Sequence, residues 1–377
     1  MPIEEPAFTF GIEEEYHLVD LTSRDLAAAP PALMSACEAE LGGQFSPEFL
    51  STQVEVGTRP LTSFADALAE LVRLRATVAR LAGEHGLAPV AVGTHPFASA
   101  DRLVPTDKRR YRELAADLAG VGRRLAICGM HVHVGIEDRE LRIDVMNQMR
   151  YFLPHLLVLS TSSPLWQGED TGLKSYRLAI MRELPRTGLP GRLAGWDEYR
   201  GVVDVLVKAD VIADASKIWW DIRPSERYPT LEMRITDVCS RAQDAVAVAA
   251  LYVCICRMLW RLRRQNQSWR TYPVFLLEEN RWRAQRYGVS GALFDFGKGE
   301  LVAFPTLLDE LVALVAEDAD ALGCRAELEH LRTIPALGTS ADRQIATLAR
   351  ATAAGWDRRA ALGAVVDQLA AETRAAE

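Results

Sequence analysis

The chain has no paired-cysteine spacing, no excess of basic residues, no apolar run of membrane-spanning length and no G-x-x-x-x-G-K-[ST] phosphate loop. Each absence narrows the field. Its six cysteines, Cys37, Cys128, Cys239, Cys254, Cys256 and Cys324, are scattered without zinc-knuckle spacing. They are expected to be inert core thiols in a reducing compartment. A formal charge of −8 over 377 residues has the wrong sign for a nucleic-acid surface, so small-molecule partners are expected instead. The longest apolar stretch, Ala245 to Leu259, is interrupted by Arg257 and reads as a buried helix, so no membrane partner is expected. Met1 to Pro6 is short and acidic, unlike a targeting segment, which predicts a cytoplasmic location. No repeat or low-complexity segment divides the chain, so residues 1–377 are expected to form one composite catalytic domain with a helical part at about 306–377.

Four segments, Phe8 to Leu18, Thr52 to Arg59, Ile127 to Gly135 and Thr230 to Asp237, alternate apolar with polar or charged residues. Read as strands, they place side chains two apart on one face. Glu13 with Glu15, Gln53 with Glu55 and Arg59, His131 with His133, and Glu232 with Arg234 then share polar faces. The opposite faces carry Phe8, Phe10 and Ile12; Val54 and Val56; Cys128, Met130, Val132 and Val134; and Leu231, Met233 and Ile235. Clustered carboxylates repel one another unless cations lie between them, and Mg²⁺ or Mn²⁺ accepts their oxygens readily. An ordinary solvated polar face is the alternative for any one segment, but it has no need of His-x-His or of Glu-x-Arg between apolar residues. The fold expected from these registers is α+β, with a curved, mainly antiparallel sheet and helices packed on one face.

Between these segments, helices are expected at Pro31 to Leu41, Ser63 to Glu84, Asp107 to Leu118, Leu141 to Ser160, Tyr199 to Ala213 and Ala242 to Arg264, the last capped from Asp237 to Ser240. Thr94 to Phe97 forms a loop that could reach a site, and Arg109, Arg110 and Arg112 are either phosphate contacts or a solvated basic face. Arg177, at the end of a small-residue segment, could clamp a carboxylate or make a structural ion pair. Asp221 and Arg223 could approach from a neighbouring strand, and Glu278 to Gly288, with Arg283 and Arg286, is either a nucleotide-facing helix or a solvated helix end.

Five motifs taken together resemble the glutamate–cysteine ligase type 2 group of carboxylate–amine ligases, whose fold is similar to the catalytic part of glutamine synthetase. They are Phe10-Gly-Ile-Glu-Glu-Glu-Tyr16, Gly129-Met-His-Val-His-Val-Gly135, Asp170-Thr-Gly-Leu-Lys-Ser-Tyr-Arg177, Thr230-Leu-Glu-Met-Arg-Ile-Thr-Asp237 and Glu279-Asn-Arg-Trp-Arg-Ala284 onward to Tyr287. The resemblance implies ATP-dependent amide formation, with glutamate activated as an acyl phosphate and attacked by the amine of cysteine. It also implies that Glu13, Glu15, Glu55 and Glu232 bind metal, that His131 or His133 adds a metal or phosphate contact, and that Arg234 faces the transferred phosphoryl group. The candidate catalytic set is therefore Arg234, Glu55 and Arg177. The candidate nucleotide contacts are His133, Arg223, Arg283 and Arg286, and the candidate metal ligands are Glu13, Glu15, Glu55, His131 and Glu232. A homo-oligomer, most simply a dimer, is expected. A ligase for another acid or amine, a phosphotransferase and a catalytically silent metabolite-binding protein are the alternatives.

Overall fold

Strand β1 (Phe10–Asp20) organises the molecule: Phe10, Ile12, Tyr16 and Leu18 enter the core, while Glu13 and Glu15 point the other way. The computed structural model describes residues 4–99, 103–122 and 124–375, apart from the side chain of Arg110. β2 (Phe45–Pro47), β3 (Gln53–Gly57), β4 (Leu87–Val90) and β5 (Met130–Gly135) assemble around β1. Two short pairs follow, β6 (Leu165–Trp166) with β7 (Glu169–Asp170), and β8 (Thr187–Gly188) with β9 (Trp219–Trp220). β10 (Ile222–Pro224) and β11 (Thr230–Met233) then complete the sheet in the order β10-β11-β5-β1-β3-β2, with β4 also on β1. All pairings in that sheet are antiparallel. A separate hairpin joins β12 (Ala292–Asp295) to β13 (Glu300–Ala303).

The apolar face of the sheet is covered by helices. α1 (Pro31–Leu41) precedes α2 (Phe64–Gly83), which Ser63 caps by accepting from the Asp66 N–H; α2 buries Phe64, Ala67, Leu71, Leu74, Val78 and Leu81. α3 (Arg109–Gly122) lies before β5, and α4 (Arg139–Met149) and α5 (Leu153–Ser160) follow it. The single helix expected at Leu141 to Ser160 is thus two, because Pro154 has no N–H to continue the first and starts the second. α6 (Arg177–Met181) and α7 (Trp196–Lys208) lead to α8 (Ala242–Arg264), the central helix. Contrary to the expectation that no apolar run reaches membrane-spanning length, α8 is long and apolar enough to cross a membrane by length and composition, but 83% of its most apolar window is buried inside the protein. Its N-cap is Arg241 without a side-chain bond, so Asp237 to Ser240 do not cap it as expected. The remaining helices are α9 (Val274–Tyr287), α10 (Phe304–Leu314), α11 (Ala316–Leu322), α12 (Arg325–His330), α13 (Thr333–Leu337), α14 (Ser340–Ala353) and α15 (Arg358–Arg374). α14 and α15 form their own apolar cluster with Val19, Ala88 and Val90. All six cysteines are buried and unbridged, as their apolar surroundings suggested.

One charged group sits on the core side of β1. Glu14 is fully buried and accepts from Arg75 of α2 at 2.9 Å (Nε) and 2.6 Å (Nη2), while the Tyr16 hydroxyl donates to it at 2.5 Å. Arg75 also donates to the carbonyls of Cys239 and Ser240, tying β1, α2 and the approach to α8 together.

Candidate active site

Strand register builds the site. Glu15 lies opposite Glu55, Glu13 opposite His131, and His133 opposite Glu232, which in turn lies opposite Arg223. Residues directly opposite in an antiparallel sheet share a face, so acidic, imidazole and guanidinium groups from five strands or strand ends meet in one row. Donor atoms of Glu13, His131 and Glu232 lie within 4.8 Å of one another, as do those of Glu15, Glu55 and His131. Two groups able to hold a cation therefore meet at one imidazole. An open cavity of about 600 Å³ lies over this row, a size that suits small-molecule substrates.

The charges are unevenly satisfied. Burial would raise the Glu13 carboxyl, but hydrogen bonds and charge from His131 and His133 hold it well below the usual carboxylate range. Burial is likewise outweighed at Glu232, which Arg234 and Arg223 keep ionised; Arg223 Nε donates to it at 2.8 Å and Arg234 Nη1 also binds it. Glu55 goes the other way: burial and the charges of Glu48, Glu13 and Glu15 push it well above the usual range, opposed by a hydrogen bond from the Ser46 hydroxyl. His131 is lowered by burial and by Arg234, whereas His133 is raised despite burial because Glu13 and Glu232 face it. The buried Nε2 of His133 stands 3.4 Å from Glu13 Oε1 and 4.0 Å from Glu232 Oε1, and Glu55 has like charges for company. Hard divalent cations fit such a donor set, since they supply the positive charge it lacks.

Behind the row, Gly129 is pinched between functional groups. Its N–H donates to Glu15 Oε2 at 2.6 Å, and Arg177 lies against its Cα, where a methyl group would come within 2.3 Å of Nη2. Arg177 donates to the carbonyls of Arg234 and Ile235 at 3.2 and 3.3 Å, with Asp237 3.8 Å away. Asp237 is buried and accepts from the Ser162 N–H and the Ser163 and Ser175 hydroxyls. Burial raises its carboxyl, with Arg177 and these donors opposing.

Glu13, Glu15, Glu55, His131, His133, Arg223, Glu232 and Arg234 thus come together as expected, while other candidates do not. Arg177 reaches only a recess of about 130 Å³ beside Glu15, His131 and Arg234. Arg283 donates to the Ala292 carbonyl and Arg286 lies by Gly172 and Tyr287; neither lines the cavity, because the α9 face that bears them packs elsewhere. Arg59 pairs with Glu70, and Arg109 and Arg112 pair with Glu113 and Asp107 in solvent; the Arg110 side chain lies outside the described residues. Asp221 binds Arg281, and the Thr94 to Phe97 loop turns inward, where His95 Nε2 meets the Arg24 carbonyl. Ser46, Glu48 and Trp219 were missed although Glu48 and Trp219 line the cavity and Ser46 binds Glu55. The spacing of Ser46 and Glu48, two apart ahead of the Glu55 strand, was the available signal.

Residues 9–368 match the glutamate-cysteine ligase family 2 profile. The chain belongs to that family. A Rhodospirillum rubrum relative, provisionally named glutamate–cysteine ligase 2, is 57% identical over 98% of this chain and 97% of its own. The chain is also similar to the crystal structure of a Francisella tularensis glutamate–cysteine ligase in complex with AMP, with a TM-score of 0.68 at 13% identity over 99% of this chain and 90% of that one. A bifunctional glutathione synthetase from Pasteurella multocida gives a TM-score of 0.69 at 15% identity; the match covers 97% of this chain and about half, 52%, of that longer one. These two likenesses support the α+β fold with its mainly antiparallel sheet. Family membership makes the protein an ATP-dependent carboxylate–amine ligase by class.

Proposed function

We propose that this ligase joins the γ-carboxylate of glutamate to the amine of cysteine, with Mg²⁺ bound at the carboxylate row and Mn²⁺ able to replace it. The observation that carries the reading is the pair of cation-capable donor groups sharing His131, with Arg223 and Arg234 beside them on the same sheet face. A free carboxylate is a poor acyl donor because its leaving group would be oxide. Transfer of the ATP γ-phosphoryl group to a carboxylate oxygen releases ADP and leaves a mixed anhydride. The amine then attacks the acyl carbon, inorganic phosphate departs, and loss of a proton from nitrogen leaves the amide. Divalent ions, when bound, neutralise phosphate charge.

In this reading Glu13 and Glu232 would hold one cation and Glu15 and Glu55 another, and the one free lone pair of neutral His131 would complete either set but not both. Arg234 and Arg223 meet phosphoryl oxygens with paired N–H donors. Arg177 positions Arg234 through its backbone carbonyl rather than clamping substrate. We expect a homodimer, which light scattering at micromolar concentration tests by mass.

A second reading, another amine in place of cysteine, is favoured by one feature. The recess beside Glu15, His131 and Arg234 is walled by Leu114, Leu118, Met181 and Leu184, which suits a compact apolar side chain. Purified protein with Mg-ATP and a panel of amino-acid pairs, followed by ADP release and mass spectrometry of amide products, separates the readings. Product from glutamate and cysteine supports the named reaction. Product from a different pair keeps the chemistry and rejects the substrates. No amide from any pair overturns both.

A further inference from the structure

A second cavity, of about 420 Å³, opens away from the carboxylate row between α5, the loop before α9, the β12–β13 turn and α10. None of its lining residues takes part in the site described above. One wall is aromatic: Tyr151, Trp269 and Tyr272 lie with ring centroids 5.5 and 5.7 Å from Tyr151. The lining contributed by α10 is largely aliphatic, from Leu307, Leu311 and Leu314. Such a slot suits a flat ring, which gains both apolar burial and offset stacking. His155 also lines it; burial lowers its imidazole to about 4, so the ring is neutral, and its Nδ1 has no hydrogen-bond partner among the described residues.

The rim is charged with both signs. Lys298 Nζ stands 2.6 Å from Glu310 and 3.6 Å from Asp295. Lys298 and Glu310 are both substantially exposed, so their pairing contributes little and exchanges easily for a ligand's charges. An α-ammonium group matches the two carboxylates and an α-carboxylate matches the lysine, 1:1 with the head of a free amino acid. A neutral heterocycle would use the slot but leave the rim unanswered.

We propose that this cavity is a binding site for a free α-amino acid with an aromatic side chain, the ring held against Tyr151 and Leu311 and the head group at Lys298, Glu310 and Asp295. Isothermal titration calorimetry of the full-length protein with L-phenylalanine, L-tyrosine and L-tryptophan, against phenethylamine and phenylpropionate, tests it. At least one of the amino acids should bind at a single site, with the amine-only and acid-only analogues weaker by about tenfold or more. Lys298→Ala, which removes the carboxylate partner, and Leu314→Trp, which fills the slot from a half-exposed position, should each weaken binding by about tenfold while ligase turnover and the melting curve stay unchanged. Absence of saturable binding up to about 5 mM would overturn the proposal. So would equal affinity for the truncated analogues, affinity unaffected by both substitutions, or displacement by Mg-ATP, which would place the ligand over the carboxylate row instead.

Discussion

Arg177 and Gly129 are in contact so close that a Cβ at position 129 would lie 2.3 Å from the guanidinium Nη2, while the Gly129 N–H holds Glu15. The glycine therefore couples Arg177, and through it the Arg234 carbonyl, to a carboxylate of the row. Gly129→Ala must displace Arg177 or the strand. We expect turnover to fall by about a hundredfold, equivalent to about 3 kcal/mol in the barrier, with a loss of about 1–3 kcal/mol in stability from overpacking. Arg177→Lys, which cannot bridge both the Arg234 and Ile235 carbonyls, should lower kcat more than it raises the KM for ATP. Steady-state kinetics beside urea unfolding checks both; an unchanged kcat in both variants removes the coupling.

Arg234→Ala should reduce turnover by on the order of a hundredfold or more, since it removes a preorganised donor from a site of developing negative charge. Thermal melting should move little by comparison. Arg234 sits beside Glu232 and His131 and is held by no further described side chain, so its loss leaves the sheet paired. Near-normal turnover would reassign Arg234 to orienting Glu232.

Period two was enough to place Glu13, Glu15, Glu55, His131, His133, Glu232 and Arg234 on one face, because a half-buried strand writes its two faces directly into the sequence. Helical arginines carry no such mark. Arg283 and Arg286 sit on a helix whose packing direction depends on distant elements, and the structure turns them to Ala292 and Tyr287. Glu14 reads as one more acid in a run of three, yet the alternation that sends Glu13 and Glu15 to the site sends it to the core. Its partner lies 61 residues away on α2, and a contact of that separation leaves no local pattern.

The Glu14–Arg75 pair is a sharp stability test. Arg75→Met leaves a buried carboxylate facing Tyr16 and should destabilise by about 3–5 kcal/mol. Glu14→Gln keeps the shape but removes the charge opposite a guanidinium that is almost wholly buried, and should cost a comparable amount. The double change to apolar residues of similar volume should recover a good part of either loss. Equilibrium unfolding of the three variants is the measurement; single substitutions within about 1 kcal/mol of the parent would show the pair to be dispensable.

His17 makes acid sensitivity local and measurable. It is fully buried beside His95, neither ring nitrogen has a hydrogen-bond partner among the described residues, and burial together with His95 lowers its imidazole to about 3. The unfolded chain takes up a proton on this residue near pH 6.5 while the folded chain does not, so more protons bind the unfolded state between about pH 3 and 6.5. Stability then rises with pH through that window and falls on acidification. Between pH 6 and 5 this one group removes about 1 kcal/mol. His17→Leu should flatten the slope by that amount and leave stability at pH 7.5 equal or higher. An identical acid slope in parent and variant would show that His17 stays accessible to protons.

Cation binding at the carboxylate row should be visible without turnover. The row brings Glu13, Glu15, Glu55 and Glu232 around two imidazoles, and Glu55 in particular faces like charges that either a proton or a bound cation would offset. A ligand that binds only the folded state stabilises it by RT ln(1 + [L]/Kd), about 2.7 kcal/mol at a hundredfold excess over Kd. Mg²⁺ or Mn²⁺ added to the nucleotide-free protein should therefore raise the melting temperature, and Na⁺ at equal ionic strength should not. Glu13→Gln and Glu55→Gln should behave differently in detail. Glu13 is held ionised by His131 and His133, so its loss removes a ready ligand and the metal-dependent shift should largely vanish. Glu55 is pushed toward its protonated form, so Glu55→Gln should raise the melting temperature of the metal-free protein while reducing the further gain on adding metal. Equal metal-dependent shifts in the parent and both variants would remove the carboxylate row from cation binding.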